Sequence, residues 1–360
     1  MTGNRSNATV VGNSTNNPYE FYQAEQLIFL CILFAMIVIG NTLVLTAIIT
    51  SGKRRSRMNF FIINLACADL SVGCLMVLTD IIWKATITWH AGNIGCKVVR
   101  FAQCAATYGA TYSLVALSID RFDAIARPMS MGGVAKRCRI LVTLAWMFAG
   151  LFSLPMLYMY EEMIVDRIPQ CWIDLQDPWK WRLYMTLVSF AVFIIPAIII
   201  ASCYIIIVVI IWSKSSMKFK SSSENGCNEK TRCLSQNGSI TVRFTSTSKT
   251  KTQCMSASSS RGVIPKAKIK TIKMTFVIVL AFIFCWSPYF IWDLLSVYGH
   301  IPMSQQMIAI STFLQSLAPL NSAANPLIYT LFNTAMCTRI FKKHSNCNSP
   351  PPSHGITGTF

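Results

Sequence analysis

The sequence predicts an all-α membrane protein: a bundle of seven transmembrane helices followed by a short amphipathic helix. Three observations predict it. Apolar residues make up 53% of the 360 and fall in long blocks, with a mean hydropathy of +0.47. Charged residues make up only 13%, about half the share of a soluble domain. Lys and Arg crowd one alternating set of connecting segments.

A helix needs about 20 mostly apolar residues to cross a hydrocarbon core about 30 Å thick. Seven blocks reach that length: 26–50, 59–83, 97–126, 138–160, 183–213, 269–298 and 305–331. The first lies too far in, and lacks the basic leader, for a cleaved signal peptide. An odd count puts the termini on opposite sides. Most of the 32 Lys and Arg lie after the first, third and fifth blocks and in the tail. Among them are Lys53, Arg54, Arg55 and Arg57, and Lys266, Lys268, Lys270 and Lys273. Positive loops stay cytosolic, so the N-terminus is expected outside, at the plasma membrane. Residues 1–25 then form an extracellular segment with glycosylation signals at Asn4, Asn7 and Asn13. Asn237 starts a fourth such signal, which this topology places in the cytosol and predicts unmodified.

The net charge of +18 does not call for nucleic acid. The basic residues flank spans, where topology and attraction to anionic membrane lipid explain them. Glu20, Glu25, Asp80, Glu161, Glu162, Asp166, Asp174, Asp177 and Asp293 gather on the outer side. They would draw in a cationic ligand, or simply be solvated. Of the 14 Cys, most fall within spans or in the cytosol, where they stay reduced. Cys96 opens the third span and Cys171 lies in the second outer loop. Both face the oxidising side, which predicts a disulfide between them.

The spans occupy 26–331. Within them, 214–265 is rich in Ser, Thr, Lys and Asn, a flexible third inner loop by composition. The cytoplasmic tail is 332–360. Its residues 332–343 alternate apolar and basic, which suggests the amphipathic helix on the inner membrane surface. Cys337 or Cys347 could carry a palmitoyl group there.

Polar residues at membrane depth cost free energy and are functional candidates. Asp69 sits mid-span, with Asn41, Asn321, Ser322 and Asn325 at similar depth. One carboxylate among amides and hydroxyls is a hydrogen-bonded hub, a monovalent cation site, or both. Asp120-Arg121-Phe122 follows Cys96 by 25 residues, or roughly 37 Å of helix, which carries Arg121 to the cytosolic edge. There the pair is a topological anchor or a working element. Pro196, Pro288 and Pro326 each remove a backbone donor and are expected to bend their helices.

These marks together resemble the rhodopsin-like class of G-protein-coupled receptors. They are Gly40-Asn41, Leu65-Ala-Cys-Ala-Asp69, Asp120-Arg-Phe, Trp146, Pro196 with Tyr204, Cys285-Trp-Ser-Pro288 and Asn325-Pro-Leu-Ile-Tyr329, with Cys96 and Cys171. The resemblance implies no enzyme activity and no cofactor. It implies a sodium site at Asp69 with Asn321, Ser322 and Asn325, and a transmission switch at Trp286 and Phe282. It also implies a sixth span pivoting at Pro288 and G-protein contact at Arg121, beside Asp120, Tyr204 and Tyr329. Three positions depart from the pattern. Phe122 replaces the usual Tyr, Lys268 replaces the acid that locks the third span to the sixth in some members, and Ala110 replaces a Ser that helps ligate sodium.

Receptors for amines place an Asp about two turns below the disulfide Cys; here that position is Gln103. Retinal proteins need a Lys in the seventh span, and 305–331 has none. The outer cavity is expected to gather Asp80, three turns beyond Asp69, with Lys84 placed at i+4 to pair with it. It also gathers Arg100, Gln103, Thr107, Trp286, Tyr289, Phe290, Asp293 and Gln315. A wide amphipathic pocket of this kind suits a peptide, although Trp83, Trp89 and Trp292 could equally be interfacial belt residues.

Longer strings resemble the vasopressin/oxytocin branch, and within it the neuropeptide S receptors and crustacean cardioactive peptide receptors. They are Trp89-His-Ala-Gly-Asn, Arg100-Phe-Ala-Gln103, Ala116-Leu-Ser-Ile-Asp-Arg and Cys285-Trp-Ser-Pro-Tyr-Phe. That implies an extracellular peptide ligand and a heterotrimeric G protein, Gq with calcium mobilisation and Gs as a further arm. Arrestin and receptor kinases follow as partners. The alternatives are a non-peptide receptor of the same fold and, in another class, a channel or transporter.

Overall fold

A computed structural model describes residues 18–52, 56–127, 133–165, 167–173, 175–232, 266–302 and 304–332. Helix α1 is Pro18–Thr50. Helix α2 runs Arg57–Ser71, widens to π geometry over Val72–Val77 and resumes over Leu78–Thr86. Helix α3 is Gly92–Ala126, and α4 is Val134–Ser153 continued by Pro155–Met159. Strands β1 (Tyr160–Val165) and β2 (Ile168–Ile173) pair antiparallel, with Glu162 opposite Cys171. Helix α5 runs Pro178–Ser189, turns π over Phe190–Ile194 and continues over Ile195–Arg232. Helix α6 is Lys266–Val297. The last expected span is two helices, α7 (Gln305–Leu317) and α8 (Leu320–Phe332).

The helices overlap all seven expected blocks. Five stretches among the described residues are long and apolar enough to cross a membrane: Ala24–Thr50, Arg57–Thr86, Val134–Met159, Pro178–Ser213 and Ile269–Val297. The other two fall short for different reasons. Helix α3 packs against α2, α4, α5 and α6, so protein rather than lipid surrounds it. It can therefore carry buried Gln103, Thr111, Ser113 and Ser118. The last span is halved at Ala318-Pro319.

The bundle is apolar on both sides of each helix. Leu65, Leu114, Leu117, Ile200, Ile207 and Phe282 are buried between helices. Ile39, Met147, Ile198, Ile205 and Phe284 are exposed, as expected of a protein whose outer solvent is hydrocarbon. Close helix approach depends on small residues. A Cβ at Gly109 of α3 would lie 2.8 Å from the Trp146 ring of α4, and one at Gly40 of α1 would lie 2.9 Å from Pro326 of α8. Polar bonds add to the packing. The Trp146 indole donates to Asn64 Oδ1 at 3.0 Å, and Asn64 Nδ2 donates to the Ser113 hydroxyl at 2.7 Å.

Several expectations change. Helices α6 and α8 run unbroken through Pro288 and Pro326, and the last span is interrupted at Ala318-Pro319. The π segment of α5 ends two residues before Pro196, the expected bend. The second π segment, in α2, has no proline. The hairpin β1–β2 was not expected within the outer loop. Helix α5 extends to Arg232, so 214–232 of the segment 214–265 is helical. Asn4, Asn7, Asn13, Cys337, Cys347 and the tail beyond Phe332 lie outside the described residues.

Candidate functional site

Conserving a polar group inside a membrane bundle requires a partner for it, and the partners here collect at three levels. The first is the end of the bundle marked by the disulfide. Cys96 at the head of α3 is bonded to Cys171 of β2, with Cα atoms 5.4 Å apart. The bond holds the hairpin over the helix ends, and Trp89 N–H donates to Pro169 O at 2.9 Å beside it. One turn down α3, Arg100 lies 4.5 Å from the centre of the Trp83 ring and 5.0 Å from that of Tyr160. Its Nη1 donates to Gln103 Oε1 at 3.1 Å and its Nη2 to Cys171 O at 3.5 Å. The guanidinium is thus stacked, bonded and fixed.

Gln103 Nε2 donates to the Thr79 hydroxyl at 2.5 Å. Thr79 in turn donates to Leu75 O and Met76 O, two carbonyls of the π segment of α2. Thr107 donates to Gln103 O at 2.9 Å. Asp80 is within electrostatic reach of Arg100, Lys84 and Gln103. Lys84 also donates to Gln26 of α1 at 2.8 Å. Trp83 donates to Gln170 of β2 at 2.8 Å, which ties it to the hairpin. On α6, Tyr289 and Asp293 interact electrostatically, with Gln315 of α7 within reach of Tyr289. No Lys, Arg or His forms an ion pair with Asp293 among the described residues.

The second level is the middle. Trp286 stacks on Phe290 at 5.5 Å and leans on Phe282 at 6.4 Å. Below it is a cavity lined by Met76, Thr107, Ala110, Thr111, Trp286, Asn321 and Ser322, with room for about one water molecule. Asp69 Oδ2 accepts from Asn325 Nδ2 at 2.8 Å, and Asn41 Nδ2 donates to Ser322 O at 3.2 Å. Asp69 Oδ1 and the side-chain oxygens of Asn41, Asn321 and Asn325 are buried without a hydrogen-bond partner. Buried acceptors without donors call for water or a cation. This oxygen set fits a small monovalent cation, with Ala110 offering no ligand.

The third level is the opposite end. Arg121 of α3 pairs with Asp120, which is fully buried, and its Nη1 reaches Met58 Sδ at 3.4 Å. Arg57, the first residue of α2, pairs with the other oxygen of Asp120. Its Nη2 also donates to Asp120 O at 3.1 Å and to Asp123 Oδ2 at 2.9 Å. Arg137 of α4 closes the set at 3.6 Å from Asp123. Tyr204 and Tyr329 are buried nearby or above, their hydroxyls without partners.

Residues 40–329 match the 7 transmembrane receptor (rhodopsin family) domain. The chain belongs to the rhodopsin family of seven-transmembrane receptors. The receptor is similar to the neuropeptide S receptor of Mus musculus, 38% identical over 321 residues that cover 89% of this chain and 80% of that one. It is 33% identical over 357 residues to the isotocin receptor of Catostomus commersonii, covering 95% and 86%. It is 31% identical over 318 residues to the human vasopressin V1b receptor, covering 87% and 73%. Those relatives lie in the branch that the sequence motifs resemble. The chain is therefore a multi-pass membrane receptor rather than an enzyme.

Of the sequence-expected residues, Asp80, Lys84, Arg100 and Gln103 interact at the disulfide end, Thr107 and Trp286 line the middle cavity with Asn321 and Ser322, and Asp120 and Arg121 pair at the opposite end. Arg57, Asp123, Thr79, Tyr160 and Gln170 were missed. Arg57 reads in the sequence as one more positive loop residue. Asp123, one turn after Asp120, was the available signal. Thr79 faces Gln103 beside a π segment that a regular helical wheel does not describe. Tyr160 and Gln170 belong to the unexpected hairpin.

Proposed function

We propose that the receptor binds an extracellular peptide at its disulfide end and activates a heterotrimeric G protein at its arginine end. In this reading the N-terminus is extracellular, as the charge distribution of the loops requires. The ligand chamber is formed by Asp80, Lys84, Arg100, Gln103, Thr107, Trp286, Tyr289, Phe290, Asp293 and Gln315. One observation carries the peptide reading: the charges at the disulfide end are unequally matched. Asp80 faces Arg100 and Lys84, whereas Asp293 meets Tyr289 and, among the described residues, pairs with no cation. A peptide offers both surfaces required, amides for Gln103 and Gln315 and a cationic group, an N-terminal ammonium or a basic side chain, for Asp293. The names of the relatives, receptors for neuropeptide S, isotocin and vasopressin, support the same class.

Signalling follows by population shift, since an agonist that binds one state better moves the equilibrium toward it. The sixth helix swings about Pro288, Trp286 and Phe282 pass the change inward, and Arg121 leaves Asp120 to meet the G protein beside Tyr204 and Tyr329. The orphaned oxygens at Asp69, Asn321 and Asn325 hold a sodium ion, with Ser322 alongside, and the ion favours the resting state by neutralising Asp69. Gq with calcium mobilisation is the first-choice partner and Gs the second. Arrestin and receptor kinases act after activation.

The test is a calcium assay in cells expressing the full chain, challenged with neuropeptide S, isotocin, vasopressin and cardioactive peptides. A nanomolar response to one of them supports the reading, and N-terminal acetylation of that peptide separates an ammonium from a side-chain cation at Asp293. Silence to all of them, with a response to a small non-peptide ligand, would overturn it in favour of the same fold serving another ligand class.

A further inference from the structure

We propose that Arg57 is a positioning residue for activation: it neutralises Asp120 when Arg121 departs and so makes that departure possible. The inference rests on the proposed role of Arg121 in signalling. It starts from the burial of Asp120, whose side chain is fully enclosed. A buried carboxylate stripped of its charged partner is strongly unfavourable. If Arg121 were the only cation on Asp120, activation would carry that whole penalty.

The geometry distributes Asp120 differently. Arg121 takes Oδ2, while Arg57 takes Oδ1, where the Cys138 thiol also donates at 3.7 Å. Arg57 does not depend on the carboxylate alone for its place. Its Nη2 holds Asp120 O at 3.1 Å and Asp123 Oδ2 at 2.9 Å. Asp123 is in turn met by Arg137 of α4. The guanidinium is therefore strapped to the last turns of α3 by contacts that survive the loss of Arg121. It also begins α2, a helix not asked to move in the sixth-helix swing. A residue serving only as a topological anchor would point its charge into water. Arg57 instead directs both Nε and Nη2 at α3, and its side chain is 25% exposed.

Such an arrangement fixes the sign of the effect. Removing Arg57 leaves Arg121 as the sole strong cation on Asp120, tightens that pair and disfavours activation. Arg57→Ala should lower basal inositol phosphate signalling per surface receptor by roughly tenfold, the scale of one coupled charged pair. Arg57→Gln, which keeps the stem and a donor but not the charge, should do the same if the alanine variant reaches the surface poorly. Arg57→Lys should restore part of the signal. The deciding measurement is the cycle with Asp120→Asn. That variant should raise basal signalling, and adding Arg57→Ala to it should change nothing further, because the carboxylate to be compensated is gone. A rise in basal signalling on Arg57→Ala and Arg57→Gln, or an equal fall in the Asp120→Asn background, would overturn the proposal. A native receptor silent to every peptide and without basal signal would instead sink the G-protein reading on which it rests.

Discussion

The two ends of the bundle handle charge in opposite ways. At the disulfide end, Arg100 is stacked between Trp83 and Tyr160 and Asp80 is matched, but Asp293 across the chamber is left with Tyr289. At the other end, Arg57, Asp120, Arg121, Asp123 and Arg137 form a closed set of ion pairs across α2, α3 and α4. One end has a charge to offer; the other has spent its charges internally. A ligand can add to the first without breaking anything. A partner at the second must compete with contacts already made, so it gains access only when the helices move.

The largest test of this contrast is Arg121→Ala. Asp120 keeps Arg57, so the fold should hold and peptide binding should persist. Agonist-driven calcium release should drop to the level of untransfected cells. Retained signalling would show that the closed end is structural only. Next is Cys171→Ser. The lost bond joins residues 75 apart and should cost about 4 kcal/mol of stability, since the unfolded chain regains a large loop. A thermal melt of purified receptor reads that loss, with surface expression as the cellular counterpart. A melt unchanged within a few degrees would mean that the hairpin is held by its other contacts.

Asp293→Asn sharpens the open end. It should raise the agonist EC50 by roughly 30-fold, the loss expected when a partly buried charge pair is truncated, with surface expression unchanged. An unaltered EC50 would move the cationic group of the ligand elsewhere. The smallest effect is Gln103→Ala, which removes the bonds to the Thr79 hydroxyl and from the Arg100 guanidinium and should shift potency about fivefold, or ~1 kcal/mol. A shift as large as that of Asp293→Asn would make Gln103 as strong an anchor for the ligand as Asp293 and erase the distinction between a matched and an unmatched wall.

Much of the architecture was legible in the sequence because membrane insertion is a local property. Each span was read from about 20 residues of its own, and the helices overlap every block, with α5 running on to Arg232. The pairing of Cys96 with Cys171 was legible from topology. What was not legible shares one cause. Arg57 meets Asp120 across 63 positions, and Trp83 meets Gln170 across 87. The Thr79–Gln103 bond joins two helices on faces that depend on how far the π segment rotates α2. The split of the last span at Ala318-Pro319 was not legible either, since a membrane helix with packed neighbours can continue through a proline, as α6 and α8 do.

Hydrophobic length, the placement of basic residues and one mark in each span determined by themselves that this chain is a seven-helix receptor. Hydrocarbon and water sort residues one segment at a time, and that sorting needs no knowledge of neighbours. Only the tertiary structure decided which charges are neutralised and which stay available. Electrostatic partnership acts over a few ångströms between different helices, and helix rotation, a π turn or a hairpin can change it without altering the hydropathy of any segment.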